Sequence, residues 1–394
     1  MVRRLAILGS TGSIGTNTLE VVRESGGGIQ VAALAAGRNL DVLAAQIREF
    51  RPRLVSVAGE TERGRLAGLL RERDVERPEL VCGAAGNVTV ALCAEADTVV
   101  SAAVGVAGLE ATYEAVCAGK RVALANKEVL VAAGEMVMAA AARSGAELLP
   151  VDSEHNGVHQ CLRGVERREE IRRLILTASG GPFRTTPREA LARVTPRQAL
   201  SHPTWVMGPR ITINSATLMN KGFEVIEACR LFGFRPGQVD VLIHPQSTVH
   251  AMVEFEDGSV IAQLSVTDMK MPIQYALYYP ERRGVPEGRR MDWKTVREWM
   301  FEPPEPGKFP ALRLAYEALE AGGSAGATLN AADEVAVAAF LEGRISFPAM
   351  ADVVAETLAG VAVRRPQSIG EVLEIDRASR EYARKALDRQ PVHG

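Results

Sequence analysis

The stretch LAILGSTGSIG, residues 5–15, decides the fold of the first half of the chain. Leu5–Leu8 is a short apolar run typical of a buried strand, and a helical pattern continues from the last glycine to Val22. Glycines every three residues permit a tight turn, let backbone N–H groups approach a pyrophosphate, and open a helix whose N-terminus attracts anions. The spacing is GxxGxxG rather than GxGxxG, a variant seen in NADP-dependent folds. With a strand before it and a helix after it, the motif predicts a Rossmann-like dinucleotide-binding unit.

The end of the second predicted strand indicates which dinucleotide is bound. Ile29–Ala35 is apolar, and Gly37, Arg38 and Asn39 follow it. An acidic residue at this place would bond the ribose 2′-hydroxyl of NAD(H), whereas arginine favours a 2′-phosphate through a bidentate contact. The sequence therefore predicts NADP(H). The alternative is that Arg38 only lies in a solvated loop.

Strand and helix patterns continue to alternate, which predicts a doubly wound parallel sheet. Further strands are predicted at 54–58, 80–82, 98–102, 122–125 and 146–151, and helices at 41–50, 60–73 and 135–144. Ligands in such folds bind outside the carboxyl ends of the strands. Lys127 follows the strand at 122–125 and is therefore a candidate contact for a substrate or the nicotinamide. The alternative is an ordinary surface lysine.

Acidic side chains follow the last of these strands. Asp152 and Glu154 are separated only by Ser153, and such neighbouring carboxylates disfavour joint ionisation. A hard cation such as Mg²⁺ or Mn²⁺ offsets that repulsion. The alternative is an exposed acidic loop in which Asp152 or Ser153 caps a helix. His155 and His159 are four residues apart on that helix, but without an HExxH motif they favour a capped helix over a zinc site.

A serine and two glycines end another predicted strand, at 174–178. Ser179-Gly180-Gly181 forms either a compact anion-binding turn or a plain glycine turn. The segment 195–210 that follows is polar, with His202, Trp205 and several helix breakers. This composition predicts a mobile lid that excludes water from the chemistry.

Residues 213–227 are predicted to form one helix with an unusual density of polar groups. Ser215, Asn220 and Lys221 can bond a phosphate and neutralise it. Glu224 lies three residues beyond Lys221 and offers a third carboxylate for the cation site. The alternative for each of these residues is a solvated helix face.

The pattern changes after residue 248. Strands at 249–255 and 259–266 form a predicted hairpin with a type I′ turn at Asp257-Gly258. The proline-, charge- and glycine-rich region that begins at 285 is predicted to be a linker. Helices are then predicted at 311–320, 331–341, 347–358 and 369–387, which together form a C-terminal bundle.

The composition of the 394-residue chain is that of a soluble globular protein, 47% hydrophobic and 24% charged. A net charge of -2 provides no basic field for nucleic acid or an anionic membrane. No apolar run approaches the roughly 20 residues that a membrane-spanning helix needs. Five scattered cysteines without a CxxC pair indicate neither a disulfide framework nor a zinc site. We therefore expect a cytoplasmic protein without nucleic-acid or membrane partners.

The ordered set of motifs resembles the 1-deoxy-D-xylulose 5-phosphate reductoisomerase family. The matching stretches span most of the chain: GSTGSIG at 9–15, AGRN at 36–39, ANKE at 125–128, VDSEHN at 151–156, ASGGPF at 178–183, HPTWVMG at 202–208, NSATLMNKGFE at 214–224, HPQSTVH at 244–250 and LNAADEVAV at 329–337. Each motif alone is weakly specific, but their order is highly specific.

The resemblance implies roles for particular residues. Asp152, Glu154 and Glu224 would hold a divalent metal, Mg²⁺ or Mn²⁺, with Co²⁺ as a further candidate. Lys127, with these three acids, would be catalytic. The implied substrate contacts are Lys127, Ser153, Glu154, Ser179, His202, Trp205, Ser215, Asn220, Lys221 and Glu224, of which Ser179, Ser215, Asn220 and Lys221 would hold the phosphate. The implied NADPH contacts are Thr11, Gly12, Ser13, Ile14, Gly37, Arg38, Asn39, Asn126, Glu128 and Gly208.

The resemblance also implies a domain plan and a reaction. We expect an α/β protein with a Rossmann-like NADPH-binding domain (1–150), an α+β catalytic and dimerisation domain (151–284) with its lid at 195–210, a linker (285–310) and a C-terminal helical domain (311–394). The implied enzyme is a homodimer that acts on a phosphorylated sugar. It rearranges 1-deoxy-D-xylulose 5-phosphate to an aldehyde, by cleavage and re-addition, and NADPH reduces the aldehyde to 2-C-methyl-D-erythritol 4-phosphate in the non-mevalonate isoprenoid route.

Some residues depart from the family pattern without removing a proposed catalytic group. Arg38 replaces a common lysine, and Pro209-Arg210 replaces a common pair of lysines in the lid. Asn214 stands where aspartate is frequent, and Asp333 replaces a common asparagine. Two rival functions remain at this point. One is a simple NADP-dependent dehydrogenase, and the other is a non-enzymatic NADPH-binding regulator.

Overall fold

The computed structural model describes residues 3–205, 207–295, 298–305 and 307–390. Parts of the predicted lid (Val206), linker (Val296, Arg297 and Pro306) and C-terminal domain (391–394) lie outside the described residues, as do Met1 and Val2. The strands are β1 (Arg3–Leu8), β2 (Ile29–Ala35), β3 (Leu54–Val57), β4 (Glu79–Cys82), β5 (Thr98–Ser101), β6 (Arg121–Leu124), β7 (Leu148–Pro150), β8 (Ile171–Ala178), β9 (Val239–Ile243), β10 (Val249–Phe255) and β11 (Val260–Leu264).

Helices are described both between the strands of the first sheet and in the predicted C-terminal bundle. They are α1 (Ser13–Glu24), α2 (Leu40–Phe50), α3 (Glu60–Glu72), α4 (Gly83–Ala91), α5 (Leu109–Cys117), α6 (Glu128–Ser144), α7 (Ser153–Cys161), α8 (Pro196–Ala199), α9 (Pro209–Thr217), α10 (Met219–Phe232), α11 (Lys270–Tyr278), α12 (Pro310–Ala321), α13 (Ala325–Leu341), α14 (Ala349–Gly360) and α15 (Ile369–Leu387). Helix α6 begins well before the predicted residue 135, and Ala133 interrupts its helical backbone with φ −138°.

The first sheet is parallel throughout, with the order β4-β3-β2-β1-β5-β6-β7. Apolar strands such as Leu5–Leu8 are fully buried, as expected where helices cover a parallel sheet. The strand order reverses between β1 and β5, and ligands of doubly wound sheets bind at such a switch point. The predicted α/β class and Rossmann-like sheet are confirmed.

The second sheet is mixed, with the order β11-β10-β8-β9, and β8 pairs with β9 in parallel. The hairpin of β10 and β11 is present, but the predicted type I′ turn is wrong. A type I′ turn requires positive φ at both central residues. In this fully described loop only Gly258 has a positive φ, 84°. Gly258 N donates to Phe255 O at 3.0 Å, so a three-residue loop ends on a left-handed glycine, the usual alternative hairpin.

The predicted single helix at 213–227 is also corrected. Leu218 has φ 62° and separates α9 from α10. A left-handed leucine costs roughly 1–2 kcal/mol. Its side chain is buried with Ala178, Ile243 and Phe309, and this packing offsets the backbone cost.

The chain divides into two compact units. The first comprises Met1–Val129, Glu135–Asn156 and Asp268–Val285, and the second comprises Leu130–Gly134, Gly157–Thr267 and Pro286–Gly394. In the second unit, Leu176 of β8, Phe223 of α10 and Phe340 of α13 belong to one hydrophobic core. The middle sheet and the C-terminal helices therefore share one hydrophobic core within the second unit.

The region predicted as a linker is anchored within the second unit. Glu302 forms an antiparallel bridge with Ile243, the last residue of β9. Lys308 is buried, and its Nζ donates to the carbonyl of Arg184 at 2.7 Å. This segment is therefore tied to the second sheet through Glu302 and to the loop after β8 through Lys308.

Candidate functional site

The glycine loop after β1 leaves the start of α1 open. Gly9 has φ 87°, and a Cβ there would lie 2.4 Å from Ala102 O. A Cβ on Gly15 would lie 2.4 Å from Gly9 O, so close helix–loop packing requires glycine at both places. In this fully described loop and helix, no side chain caps α1, and its first turn holds no acid. An uncapped helix N-terminus of this kind suits a phosphate group.

The predicted cofactor positions around this helix are accessible. Gly12 and Ser13 are exposed, whereas Thr11 and Ile14 are half-buried. After β2, the residues Gly37, Arg38 and Asn39 are all exposed, so the Arg38 guanidinium can reach a ligand phosphate. Asn39 has a role that the sequence analysis missed, because its side chain caps α2 by accepting from Val42 N at 3.4 Å.

Asn126, after β6, places a buried amide in the first unit. Its Nδ2 donates to Gly105 O at 3.0 Å, whereas its Oδ1 has no hydrogen-bond partner among the described residues. Buried polar atoms are nearly always hydrogen-bonded in proteins. The Oδ1 therefore marks a place where a ligand donor fits. Glu128, another predicted cofactor residue, is half-buried at the first position of α6.

Lys127 and Asp152 form an ion pair in the first unit. Lys127 Nζ lies 2.6 Å from Asp152 Oδ2, and the two side chains are 9% and 17% exposed. Lys127 is therefore not an ordinary surface lysine. Its positive charge attracts the Asp152 carboxylate and offsets part of the repulsion between Asp152 and Glu154.

The VDSE segment is not the exposed acidic loop that was considered as an alternative. Asp152, Ser153 and Glu154 are half-buried, and Ser153 Oγ donates to Glu154 Oε2 at 2.5 Å. Asp152 O accepts from Asn156 N at 2.8 Å, which leads the chain into α7. His155 is completely buried. The Glu154 carboxylate is thus held by Ser153 and the Asp152 carboxylate by Lys127, so both are fixed in position.

In the second unit, His202 joins two predicted phosphate-binding serines. Its Nε2 lies 3.0 Å from Ser179 Oγ and 3.1 Å from Ser215 Oγ. Its Nδ1 accepts from Thr204 N at 3.1 Å and Trp205 N at 2.9 Å, so the proton of the neutral ring is on Nε2. Burial lowers the pKa of His202 and favours this neutral form. The lid histidine therefore acts as a donor toward the serine hydroxyls.

The loop that carries Ser179 is shaped by glycine. Gly180 and Gly181 have φ 83° and 65°, and Gly181 N donates to Ser179 Oγ at 3.2 Å. A Cβ on Gly181 would lie 2.8 Å from Ser215 O, so only glycine lets this loop contact the end of α9. The close approach brings Ser179 and Ser215 to the same histidine.

Lys221, Asn220 and Glu224 meet on the first turns of α10. Lys221 and Glu224 form an ion pair, and their residues are only 2% and 1% exposed. Asn220 Nδ2 also donates to Glu224, at 2.5 Å from Oε1. Buried charges of this kind are costly unless paired, and removal of one partner is strongly destabilising. The alternative of a solvated helix face is therefore wrong for Lys221 and Glu224.

The remaining lid residues are partly described. Trp205 is half-buried, and Gly208 is the exposed N-cap of α9, followed by Pro209 at the first helical position. Arg210, noted above as a departure, contacts α13 through Asn330 and Glu334, two residues that the sequence analysis did not single out. No local sequence signal marks such partners, because they are about 120 residues away along the chain.

Among the helices in the described ranges, none combines the length and apolar character that a membrane crossing requires.

Comparison with known proteins places the chain in one family over nearly its whole length. The model of 1-deoxy-D-xylulose 5-phosphate reductoisomerase matches residues 5–134, and that of its C-terminal domain matches 148–232. A second model, DXP reductoisomerase C-terminal domain, matches residues 264–382. Together these models account for most of the chain.

Curated relatives and solved structures agree with the family models. The 1-deoxy-D-xylulose 5-phosphate reductoisomerase of Solibacter usitatus is 59% identical over 387 residues, covering 98% of this chain and 97% of the relative. That of Chlorobaculum tepidum is 51% identical over 386 residues, covering 98% and 100%. The Zymomonas mobilis enzyme in complex with NADPH superimposes with a TM-score of 0.91 at 41% identity, covering 99% and 100%. A DOX-P reductoisomerase in complex with NADPH, fosmidomycin and magnesium gives 0.92 at 37% identity, covering 98% of each chain. The chain therefore belongs to the 1-deoxy-D-xylulose 5-phosphate reductoisomerase family.

Proposed function

We propose that the chain catalyses the NADPH- and divalent-metal-dependent conversion of 1-deoxy-D-xylulose 5-phosphate to 2-C-methyl-D-erythritol 4-phosphate, in non-mevalonate isoprenoid biosynthesis. The observation that carries this proposal is the pairing of buried lysines with candidate metal-ligating carboxylates, Lys127 with Asp152 and Lys221 with Glu224. A simple dehydrogenase needs neither pair. A metal- and phosphate-dependent rearrangement uses the carboxylates to bind the metal and the lysines to bind the substrate.

The residues present fit the two cofactors that solved relatives bind. Asp152, Glu154 and Glu224 offer only carboxylate oxygens, the donors that Mg²⁺ and Mn²⁺ prefer, and Co²⁺ is a further candidate. The uncapped N-terminus of α1 and the exposed Arg38 suit the phosphates of NADPH. A bound metal supplies Lewis-acid polarisation of the substrate ketone and hydroxyl, and bound NADPH supplies hydride to the aldehyde.

The protein's own groups position the substrate and exclude water. Lys127 is a nearly buried ammonium ion, so it donates a strong hydrogen bond to oxygen that gains negative charge during rearrangement. Ser179, Ser215, Asn220 and Lys221 anchor the phosphate, which does not itself react, and this anchoring aligns the reacting carbons. Neutral His202 donates from Nε2 to the phosphate site, and with Trp205 it belongs to the lid that covers the substrate.

The complete proposed site includes the remaining positions from the sequence analysis. The substrate contacts are Lys127, Ser153, Glu154, Ser179, His202, Trp205, Ser215, Asn220, Lys221 and Glu224. The NADPH contacts are Thr11, Gly12, Ser13, Ile14, Gly37, Arg38, Asn39, Asn126, Glu128 and Gly208.

We further propose that the enzyme is a cytoplasmic homodimer. In the second sheet, β11 is an edge strand, and Val260 and Ile261 on it are 49% and 47% exposed. An exposed apolar edge strand favours association with another chain, and a second copy of the same chain is the commonest partner. Sedimentation measurements test this assembly directly.

The decisive experiment measures NADPH oxidation with 1-deoxy-D-xylulose 5-phosphate, with and without Mg²⁺, and identifies the product by NMR. We expect turnover that stops with a chelator and returns with metal. Oxidation at the same rate in chelator would instead support a simple NADP-dependent reductase. Glu224→Gln tests the ligand assignment, and Glu317→Gln, an exposed acid on α12, is its matched control. Parent-like turnover of Glu224→Gln in saturating metal would remove Glu224 from the proposed ligands.

A further inference from the structure

A buried polar cluster links the helix after the lid to the C-terminal helices. We name it the α9–α13 cluster, and it consists of Arg210 and Asn214 on α9 with Asn330, Asp333 and Glu334 on α13. Asn214 and Asp333 are each 4% exposed, and Asn330 is fully buried. The cluster lies within the second unit and contains none of the proposed ligand contacts.

Arg210 makes three contacts across this cluster. Its Nη2 lies 2.7 Å from Asn330 Oδ1 and 3.3 Å from Asp333 Oδ2, and its Nη1 lies 3.0 Å from Glu334 Oε1. Glu334 is in turn 2.8 Å from Arg380 on α15. A planar guanidinium with several fixed donors holds its partners in one geometry. The first turn of α9 is therefore fixed to a layer of two long helices.

Asn214 makes the second attachment, one helical turn after Arg210. Its Nδ2 donates to Asp333 Oδ2 at 2.8 Å, so the same carboxylate oxygen accepts from both α9 residues. Positions four apart lie on one helix face. Because α9 has only nine residues and no side-chain cap, these contacts fix its orientation to an unusual degree.

The next residue on α9 is Ser215, whose hydroxyl bonds His202. A small rotation of α9 would displace this hydroxyl from Ser179 and His202. We infer that Arg210, Asn214 and Asp333 are positioning residues that set the orientation of α9 and thereby the phosphate-binding geometry of Ser215. The inference rests on the proposed function only in taking Ser215 as a phosphate contact.

The contact between α9 and α13 pairs the amide of Asn214 with the carboxylate of Asp333 by a direct hydrogen bond. Exchanging the two residues keeps one amide, one carboxylate and the charge facing Arg210. Two carboxylates at this contact repel in a buried place, whereas two amides leave Arg210 without the Asp333 charge. The double exchange is therefore expected to restore the contact that each single substitution breaks.

The test compares Asp333→Asn, Asn214→Asp and the double exchange. We expect each single variant to raise both the KM for the sugar phosphate and the dissociation constant of inorganic phosphate roughly tenfold, with kcat within about threefold of the parent. The double exchange should return both values to within about threefold of the parent. Asp240→Asn is the control, since its ion pair with Arg173 joins β8 and β9 instead. It should leave both values unchanged.

The outcomes are separable. Unchanged phosphate affinity in both single variants, or a double exchange that loses as much as the sum of the singles, would overturn the inference. If a single variant does not fold, the phosphate affinity of the folded double exchange decides the test. A double exchange that folds and binds phosphate like the parent requires that residues 214 and 333 act together, and a weaker affinity would overturn the inference. A parent protein that binds phosphate but does not turn over 1-deoxy-D-xylulose 5-phosphate would refute the proposed function and leave the phosphate-affinity comparison intact.

Discussion

Replacement of Gly15 by alanine tests the packing that opens the start of α1. The added Cβ would lie 2.4 Å from Gly9 O and 2.5 Å from both Ser10 Cα and Ser10 O. Carbon atoms in comfortable contact are about 3.5–4.0 Å apart, so α1 must shift by about 1 Å. All three neighbours are backbone atoms and cannot rotate away. Overpacking costs typically 1–3 kcal/mol and occasionally more, and we expect about 3 kcal/mol here.

The assay is thermal and urea unfolding, with NADPH binding measured by nicotinamide fluorescence. A loss of 1 kcal/mol lowers the melting temperature of a domain of this size by roughly 2–4 °C, so the melting temperature of the first unit should fall by about 6–12 °C. We expect NADPH affinity to fall at least tenfold, because the shifted helix no longer directs its N–H groups at the phosphate (about 1.4 kcal/mol). Two glycine controls accompany the variant. Gly12→Ala meets only Gly9 O at 3.4 Å and should unfold like the parent. Gly64→Ala on exposed α3 meets nothing within 4 Å and should gain about 0.5–1 kcal/mol.

The result that refutes this reasoning is a Gly15→Ala protein within about 1 kcal/mol of the parent in unfolding free energy. An equal loss in Gly12→Ala would also refute it. The first result would mean that the loop relaxes around the methyl group, and the second would mean that close contact of the added Cβ is not the cause of the loss.

The remaining predictions concern Arg38, His159 and Lys221. Arg38→Ala should weaken NADPH binding roughly 10–100-fold and leave NADH binding unchanged, because a charge-assisted bond to the 2′-phosphate is lost. The control is Arg48→Ala, which changes an exposed arginine on α2. Equal losses of affinity for both dinucleotides would contradict the assignment of Arg38. Burial lowers the pKa of His159 to about 4, so the folded state loses stability as the pH falls from 6.5 towards 4. After allowance for partial exposure, we expect the unfolding free energy to fall by about 2 kcal/mol over this range. Urea titrations at each pH measure this loss, which should be absent in His159→Gln. Lys221→Met should lower the free energy of unfolding by about 3–5 kcal/mol, because buried Glu224 loses its ion pair. Adding Glu224→Gln should restore most of this loss. A double variant no more stable than Lys221→Met would show that the ion pair is not the cause.

The sequence by itself determined the α/β class and most element positions. Leu5–Leu8 and Ile29–Ala35 are local apolar runs, and the glycines of residues 9–15 act within one turn of the chain. Such signals depend on neighbours a few residues apart, which is why they can be predicted from sequence. Asp152, Glu154 and Lys127 could likewise be selected from sequence as candidate ligand-binding residues, because strand ends gather such groups.

Two local predictions failed because tertiary contacts outweighed local preference. Leu218 takes a left-handed backbone, against its own preference, because its side chain fills a small core with Phe309. The Asp257-Gly258 pair was predicted to form a two-residue turn, but the pairing of β10 with β11 selected a three-residue loop. In both cases burial or strand register decided between conformations that differ locally by only a few kcal/mol.

Only the tertiary structure decided which polar side chains meet. Asn214 and Asp333 are 119 residues apart, yet they share one hydrogen bond. The sequence presented them as unrelated departures. His202 was predicted to belong to a lid, and the structure shows it joining Ser179 to Ser215. Side-chain pairing over such separations follows from how helices and sheets pack, and no local periodicity encodes it.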